Sequence, residues 1–455
     1  MTTDVFGRFN PVGYFVRLNG YSRDEIGELI RHAGVDGTPA SRAGRSFAPL
    51  GTFFHESVHC CQIASTPFGQ FWIRTLLAQS NFTELNFRGM FEGRGTPRVS
   101  LPLARNWPRD AGAGTREIFG AMQHLWSMLD TALEMLISDS AVEMELACRL
   151  VASSFRYTFE LGYFDRGTPA LPAGSIPTLV TNLTDGSKST PAIQGHPLTT
   201  SNVLECHARL IEKELLLRLD DVRAAKHVDD LADASADTIA LKLLGAWHGM
   251  LIEYPAEVVY TLFALSDLAL FAPLDPALAG LWSSAMLWED VHPAYRFAMA
   301  AQITREIGFL RDERDFVRYQ NEICERAGWH TPGEIIDVLL PALEASPSAY
   351  DRLFVACLEG RRERPHVFAF DVGWSSGFGV PVVIYDDRMI VCDSRLNPQA
   401  SWEENIGRFT RSYLAREVGR QLLFEDAVAI PEAFDEPGLD LGELLKMHFG
   451  IQVSS

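Results

Sequence analysis

The chain has 455 residues and is 47% hydrophobic, so it can bury one large core or two ordinary ones, and a disordered or fibrous protein is disfavoured. Its 59 acidic residues outnumber 40 basic ones and give a formal charge of −19, which disfavours nucleic acid and anionic membranes as partners. The sequence starts without the basic and apolar segments of a signal peptide, and it has no apolar stretch of about 18 residues. We therefore expect a cytoplasmic protein with no membrane partner.

Helical spacing of apolar residues dominates the first four fifths of the chain. A helix is predicted from Gly51 to Ser65, because Thr66-Pro67 stops it and its interior holds neither Gly nor Pro. A period near 3.6 recurs from about Arg116 to Phe164, from Val203 to Leu219 and in stretches from Thr238 to Leu358. Three loops rich in turn residues interrupt this pattern, at residues 36–45, 92–114 and 165–201.

The sequence pattern changes after residue 361. Residues His366–Val372 are predicted to form a strand, Val380–Tyr385 and Met389–Asp393 a hairpin, and Trp402–Phe424 a helix with Ser401 as N-cap. The prediction is therefore a mainly α fold, α+β overall. A helical domain over residues 1–360 surrounds the helix of residues 51–65, and a small α+β region over residues 361–455 could pack on the same core.

Seven cysteines are scattered through the chain, at positions 60, 61, 148, 206, 324, 357 and 392. An odd number spread over so long a chain is unlike a disulfide framework. We expect most of them to be buried free thiols, because free cysteine is commonly a small core residue.

The segment His55-Glu56-Ser57-Val58-His59 carries the clearest chemical signal. Residues four apart share one helix face, so both imidazoles can bring a ring nitrogen to about 2.0–2.1 Å from one Zn²⁺. Glu56 lies about 100° round the helix from His55, where it can act as general base towards a water at the metal. With 12 histidines in the chain, the pattern is expected by chance roughly 0.02 times. The alternative is that both histidines are ordinary core residues.

The stretch Phe54-His55-Glu56-Ser57-Val58-His59-Cys60-Cys61-Gln62 resembles the active-site helix of the zincin metallopeptidases, in the variant F-H-E-x-x-H-x-x-Q. The resemblance implies two histidine ligands, a glutamate base and a largely helical fold around the site. The chain lacks the H-E-x-x-H-x-x-G-x-x-H extension of metzincins, because position 62 is Gln and position 65 is Ser. A third ligand is therefore expected far along the chain.

Glu205 is the leading candidate for that third ligand. In gluzincin-like families, a downstream glutamate on a second helix completes the site, and Leu204-Glu205-Cys206-His207-Ala208 is similar in character. The separation from His59 is 146 residues, longer than in the familiar peptidases. A glutamate near a helix N-terminus is also favourable with the helix dipole alone. The other candidates are Asp139, Glu143 and Glu145, followed by His124 and His207.

A second polar cluster runs from Trp288 to Arg296. Its His-Pro followed by an arginine resembles a feature of some metallopeptidase families, and His292, Tyr295 or Arg296 could stabilise an oxyanion. We keep His292 as a candidate catalytic residue. The simpler interpretation, which a proline near the first helical position favours, is a helix start with Asp290 as cap.

These residues predict a zinc-dependent hydrolase that acts on a peptide or amide bond, with Glu56 as base and a peptide or small molecule as substrate. An alternative of another class is an iron-dependent oxygenase-like enzyme with an HExxH helix. In such an enzyme His55 and His59 would hold Fe²⁺, and Arg296 could anchor the acid group of a co-substrate. A third possibility is a non-catalytic binding or toxin-like module.

Overall fold

The computed structural model describes most of the predicted helical region and parts of the C-terminal region. The described residues are 7–12, 15–18, 20–33, 45–91, 98–106, 113–138, 192–193, 196–234, 238–250, 255–281, 288–345, 348–366, 382–384, 389–391, 403–429 and 441–453. The predicted strand from residue 366 to 372 lies outside them except for its first residue, as do residue 401 and most of the predicted loops at 36–45 and 165–201.

Helices make up most of this part of the chain, so the predicted mainly α fold is confirmed. In chain order they are α1 (Arg23–Ala33), α2 (Ala48–Ala64), α3 (Pro67–Phe91), α4 (Ala113–Ser138), α5 (Thr200–Arg218), α6 (Val222–Ala234), α7 (Ile239–Trp247), α8 (Ala256–Leu270), α9 (Trp288–Val291), α10 (Pro293–Ile307), α11 (Phe316–Ala327), α12 (Pro332–Glu344), α13 (Ala349–Glu363), α14 (Glu403–Phe424) and α15 (Leu441–Phe449). None of these described helices combines the length and apolar character that crossing a bilayer requires.

The strands are short and join distant parts of the chain. They are β1 (Gly7–Asn10), β2 (Phe15–Leu18), β3 (Arg98–Val99), β4 (Ala192–Ile193), β5 (His196–Pro197), β6 (Val382–Ile384), β7 (Met389–Val391) and β8 (Gln452–Val453). The predicted C-terminal hairpin is found as β6 and β7, which pair antiparallel. Strand β6 also pairs parallel with β2, in the register Phe15 to Val382. The C-terminal hairpin therefore shares a four-stranded sheet, of order β1-β2-β6-β7, with the N-terminal strands.

Helix α2 lies between two hydrophobic clusters, and most of its residues are buried. Phe53 and Ile63 belong to a cluster that includes residues of α12 and α13. Val58 and Cys61 belong to a second cluster, formed with α5, α8 and α10. Each such buried side chain contributes on the order of 1.5–3 kcal/mol to stability. Packing on both sides therefore holds α2 firmly, as a helix that carries ligands requires.

The C-terminal end of α2 is fixed by a buried polar contact and a tight turn. Ser65 follows the helix, its N–H donates to the Cys61 carbonyl, and its hydroxyl oxygen accepts from Arg361 at 2.8 Å. Helix α3 starts two residues later and comes very close to α2. A Cβ atom at Gly69 would lie 2.1 Å from the carbonyl oxygen of Ile63. Only glycine fits there, because no side chain can share that space.

The cysteines that the structure describes are buried and form no disulfide, as the sequence predicts. These are Cys60, Cys61, Cys206, Cys324 and Cys357. Burial is the main cause that raises the pKa of Cys61, to about 12, so this thiol stays protonated and inert near neutral pH. The remaining two cysteines, at 148 and 392, lie outside the described residues.

Candidate metal centre

The two histidines of the motif lie one turn apart on α2 and face the same point. Their ring centroids are 4.9 Å apart and their planes are almost perpendicular. The Nε2 atom of His55 lies 3.2 Å from the Nε2 atom of His59. Both rings are largely buried. The helix thus presents two ring nitrogens to one small volume, as the four-residue spacing predicts.

Glu205 reaches that volume from α5, which packs along α2. A capping box fixes the start of α5, in which the Thr199 hydroxyl accepts from the Asn202 N–H at 3.0 Å and the Asn202 side chain accepts from the Thr199 N–H at 2.9 Å. Glu205 follows in the second turn. Its carboxylate oxygens lie 3.2 Å from His55 Nε2 and 3.3 Å from His59 Nε2. The expected approach of Glu205 to both imidazoles is therefore found.

These three residues, called here the His–His–Glu cluster, have the spacing that a zinc ion requires. One ligand atom from each lies within 4.8 Å of the others, and the closest approaches are 3.2, 3.2 and 3.3 Å. Around a tetrahedral Zn²⁺ with ligands at about 2.0–2.1 Å, neighbouring ligand atoms are about 3.3–3.4 Å apart. The side chains thus fit the ion. That they bind one stays a prediction.

The outer nitrogen of each imidazole also faces a side-chain oxygen. His59 Nδ1 lies 2.9 Å from Gln62 Oε1, and the Gln62 Nε2 donates to the Leu204 carbonyl at 3.2 Å. That second bond assigns the amide orientation, so Gln62 accepts from His59 and the proton of a neutral ring sits on Nδ1. His55 Nδ1 lies 3.3 Å from Glu212 Oε2, although poorly aligned for a hydrogen bond. These outer partners leave both Nε2 lone pairs for a metal.

Charge in the cluster is unbalanced towards the negative. Burial by itself lowers the pKa of both imidazoles, but the Glu205 carboxylate raises the pKa of each. At His55 the Glu212 carboxylate adds to this effect, and the pKa of His55 rises to about 9. Burial likewise raises the pKa of both carboxyls, yet the imidazoles hold the pKa of Glu205 and Glu212 below its usual range. Arg209, 3.1 Å from Glu212, adds to the effect there. Bound protons or a divalent cation would offset this excess of negative charge.

Glu56 lies beside the cluster, and its side chain is nearly buried. Only 8% of its surface is exposed. It forms no hydrogen bond or ion pair with any residue that the structure describes. Burial lowers the pKa of His59, whereas the negative charges of Glu205 and, to a smaller extent, Glu56 raise it. A carboxylate near the ligands without a partner of its own can serve as general base.

His292 is held by a structural contact instead. It is the N-cap of α10, with Pro293 as the first helical residue, and its Nδ1 accepts from the Ala294 N–H at 3.2 Å. The cap is thus His292 and not Asp290, whose carboxylate accepts from the Trp329 indole N–H at 2.9 Å. Among the described residues, His292 is not part of the His–His–Glu cluster. The proposed catalytic role for His292 stays a prediction without support from this geometry.

Of the weaker ligand candidates, neither His207 nor His124 joins the cluster. His207 is buried, but its Nδ1 faces the Gln62 amide at 3.3 Å and its ring packs on Phe263. It therefore supports the residue that holds His59. His124 is exposed on α4. The acidic candidates Asp139, Glu143 and Glu145 lie outside the described residues.

Three supporting residues were missed from the sequence: Glu212, Arg209 and Gln62. Glu212 follows Glu205 by seven residues, or two helical turns, so the two carboxylates share one face of α5. That spacing was a readable signal. Close packing is also visible at Gly51, where a Cβ atom would lie 3.3 Å from the Glu212 side chain.

Comparison of the chain with protein-family models, with curated proteins and with solved structures finds no match. The function is therefore inferred from the His–His–Glu cluster and the residues around it.

Proposed function

We propose that this chain is a zinc-dependent hydrolase of the peptidase or amidase type, which splits a peptide or amide bond with water. One observation supports this most strongly. The two Nε2 atoms lie 3.2 Å apart, and each has an oxygen of the Glu205 carboxylate at 3.2–3.3 Å, while the outer nitrogen of each imidazole faces a side-chain oxygen. A metal site needs ligand atoms that converge on one point and partners that orient the histidine rings. Histidines that only pack in a core need neither.

A Zn²⁺ ion bound there would polarise the carbonyl of the substrate and lower the pKa of a water molecule towards about 7. His55 and His59 would hold the ion through Nε2, and Glu205 through a carboxylate oxygen. Glu212 and Gln62 keep the two rings aimed, because each faces the Nδ1 atom of one of them.

Glu56 carries the proton transfers in this proposal. One of its oxygens takes a proton from the attacking water as the water oxygen adds to the carbonyl carbon of the substrate. The same carboxyl group then gives the proton to the leaving nitrogen as the C–N bond breaks, so the products are a carboxylic acid and an amine. Its burial beside the cluster keeps this carboxyl group away from bulk water.

The exposed side of the cluster indicates where a substrate enters. The side chain of Glu205 is 32% exposed and that of His59 14%, while those of His55 and Glu212 are each only 6% exposed. A peptide or small molecule would therefore approach over Glu205 and His59. The His55 side is closed by α5.

A second candidate is an iron-dependent oxygenase-like enzyme. Two histidines and one carboxylate are also the ligand set of non-haem Fe(II) oxygenases, so the same cluster supports it. Its proposed co-substrate anchor, Arg296, donates to the carbonyl oxygens of Asp290, Leu268 and Phe271. The hydrolase is favoured because Glu56 supplies the base that water attack needs.

Metal analysis of the full chain, purified without chelator, tests the metal centre. We expect about one zinc per chain, and none in His59→Ala. One iron per chain would favour the oxygenase-like enzyme. A chain without metal, also after incubation with Zn²⁺, would contradict both and leave a non-catalytic module.

Hydrolysis itself is tested with a peptide library incubated in ¹⁸O-labelled water and read by mass spectrometry. Hydrolysis places ¹⁸O in the new carboxyl group, whereas oxygenation takes oxygen from O₂. Glu56→Gln should keep its zinc and lose the activity, because an amide cannot accept the proton of the water. Glu117→Gln removes an exposed carboxylate of α4 and is the matched control. Full activity in Glu56→Gln would exclude the proposed mechanism.

A further inference from the structure

A cavity of about 320 Å³ lies where the end of α8 meets α9, α10 and the α11–α12 connection. None of the metal-centre residues lines it. Its walls include the apolar Phe271, Leu281 and Ile335, together with Trp329, Asp290 and Arg296. The volume is at the lower end for small-molecule pockets, and a lining that combines apolar side chains with a few polar groups is found in them.

Arg296 brings an almost fully buried positive charge to the wall of this cavity. Its guanidinium stacks on the Trp329 ring, 4.0 Å from the ring centroid, and donates to carbonyl oxygens of Leu268 and Phe271 at the end of α8. Its Nε–H is buried and has no hydrogen-bond partner among the described residues, and no described carboxylate lies within ion-pair distance. Burial lowers its pKa only to about 10, so the group stays charged.

The hydrogen bonds from Arg296 to the last carbonyls of α8 explain only part of why a charged group is buried here. The C-terminus of a helix carries a partial negative charge, which favours a cation there. A neutral donor could satisfy the same carbonyls, whereas a buried full charge without a carboxylate partner is costly. A cation that has no ion-pair partner among the described residues, and whose charge Asp290 offsets only in part, thus borders a cavity of ligand size.

We propose that this cavity binds a small monocarboxylate with an apolar body, with its carboxylate towards Arg296 and its body against Phe271, Leu281 and Ile335. A single guanidinium matches a single carboxylate. A dianion such as a phosphate ester is disfavoured, because Asp290 lines the same cavity and repels the second charge. This site is separate from the metal centre and does not depend on the proposed hydrolase.

Calorimetric titration of the full chain with phenylacetate tests the proposal, with indole-3-acetate and hexanoate as further monocarboxylates. Phenylacetamide is the matched neutral probe and phenyl phosphate the dianion. We expect 1:1 binding of phenylacetate, at least about tenfold tighter than phenylacetamide, because the charged group adds a charge-assisted hydrogen bond. Binding should be unchanged by EDTA, since a carboxylate bound to a metal would be lost with the ion.

Variants locate the site. Leu281→Trp should fill the cavity and abolish binding. Because Leu281 is only half-buried, this substitution should not disturb the hydrophobic core. Asp290→Asn should strengthen binding severalfold, since it removes the repelling charge and keeps an acceptor for Trp329. Arg296→Gln should remove the preference for the acid over the amide. The first two variants leave Arg296 intact, so the test stands even if Arg296→Gln does not fold.

Several results would overturn the proposal. Binding of the amide as tight as that of the acid would show that the charge is not recognised. Loss of binding with EDTA, or full binding by Leu281→Trp, would place the ligand elsewhere. Tighter binding of phenyl phosphate would exclude the monocarboxylate class, and no binding by any of the three acids at about 10 mM would exclude the site.

Discussion

The contact between Glu212 and His55 provides the sharpest test of the metal centre. Glu212→Gln keeps the size of the side chain and removes its charge. The carboxylate lies 3.3 Å from His55 Nδ1, so its loss should make His55 a weaker ligand and leave its ring less firmly oriented. We therefore expect Glu212→Gln to fold normally and to bind Zn²⁺ more weakly.

The structure limits the size of this effect. A protonated His55 ring 3.3 Å from the Glu212 carboxylate would interact with it by about 5 kcal/mol at an effective dielectric constant of about 20. This is an upper limit, because an imidazole that binds zinc is neutral. Arg209, at 3.1 Å from the same carboxylate, already neutralises part of that charge, and burial of the carboxylate costs some of the remainder. Outer partners of metal-bound histidines typically change affinity 10–100-fold, or about 1.4–2.7 kcal/mol. We expect a value in that range.

Competition with a chromophoric chelator measures the zinc affinity of the variant. Glu214→Gln is the matched control, because it removes a carboxylate from the same helix that makes no hydrogen bond or ion pair within the described residues. Glu214→Gln should bind zinc like the unchanged chain. If Glu212→Gln bound Zn²⁺ within twofold of that control, the assignment of Glu212 as the residue that orients His55 would be wrong.

Four further predictions concern the surroundings of the site. Gly51→Ala puts a Cβ atom 3.3 Å from Glu212 and should weaken zinc binding about threefold to tenfold in the same chelator assay. Gly69→Ala, whose Cβ atom would lie 2.1 Å from Ile63 O, should lower the free energy of unfolding by about 3 kcal/mol in urea titrations. In the metal-free chain the pKa of His55 rises from 6.5 to about 9. The contribution of the protonated ring to the free energy of unfolding is therefore complete below pH 6.5 and is lost as the pH rises through 9. Urea titrations in EDTA should show that loss. Zinc at 100 times its Kd should add about 2.7 kcal/mol of stability, measured as a higher Tm that EDTA reverses.

Local patterns in the sequence predict much of this fold, and long-range pairing is what they miss. The helix predicted from Gly51 to Ser65 is found as Ala48–Ala64, because apolar spacing and a following proline define a helix within a few residues. The pairing of β2 with β6 joins Phe15 to Val382. Strands of three or four residues hold too little pattern to reveal such a partner hundreds of residues away.

In the site, too, local spacing is predictable from the sequence and contacts between distant segments are not. Spacing alone places His55 and His59 together, since a helix sets their geometry. Glu205 was reached through a family resemblance, and its actual approach depends on how α5 packs on α2. His292 shows a limit of sequence patterns, because a polar residue before a proline can cap a helix, as it does here, or take part in chemistry. Its catalytic role stays a prediction. The spacing of Glu212 from Glu205 puts the two carboxylates on one face of α5, but the contact of Glu212 with His55 depends on how the two helices pack.

The support around α2 indicates that the fold does not depend on a metal. Arg361 of α13 forms a buried ion pair with Asp267 of α8 and donates to Ser65 at the end of α2, so three helices are tied together beside the site. Zinc fingers unfold without zinc because they lack a core of their own. Here two hydrophobic clusters hold α2 from both sides. Removing the metal should therefore lower the Tm and leave the helical content, read by circular dichroism, unchanged at 25 °C. A loss of helix on chelation would mean that the cluster is assembled by the metal.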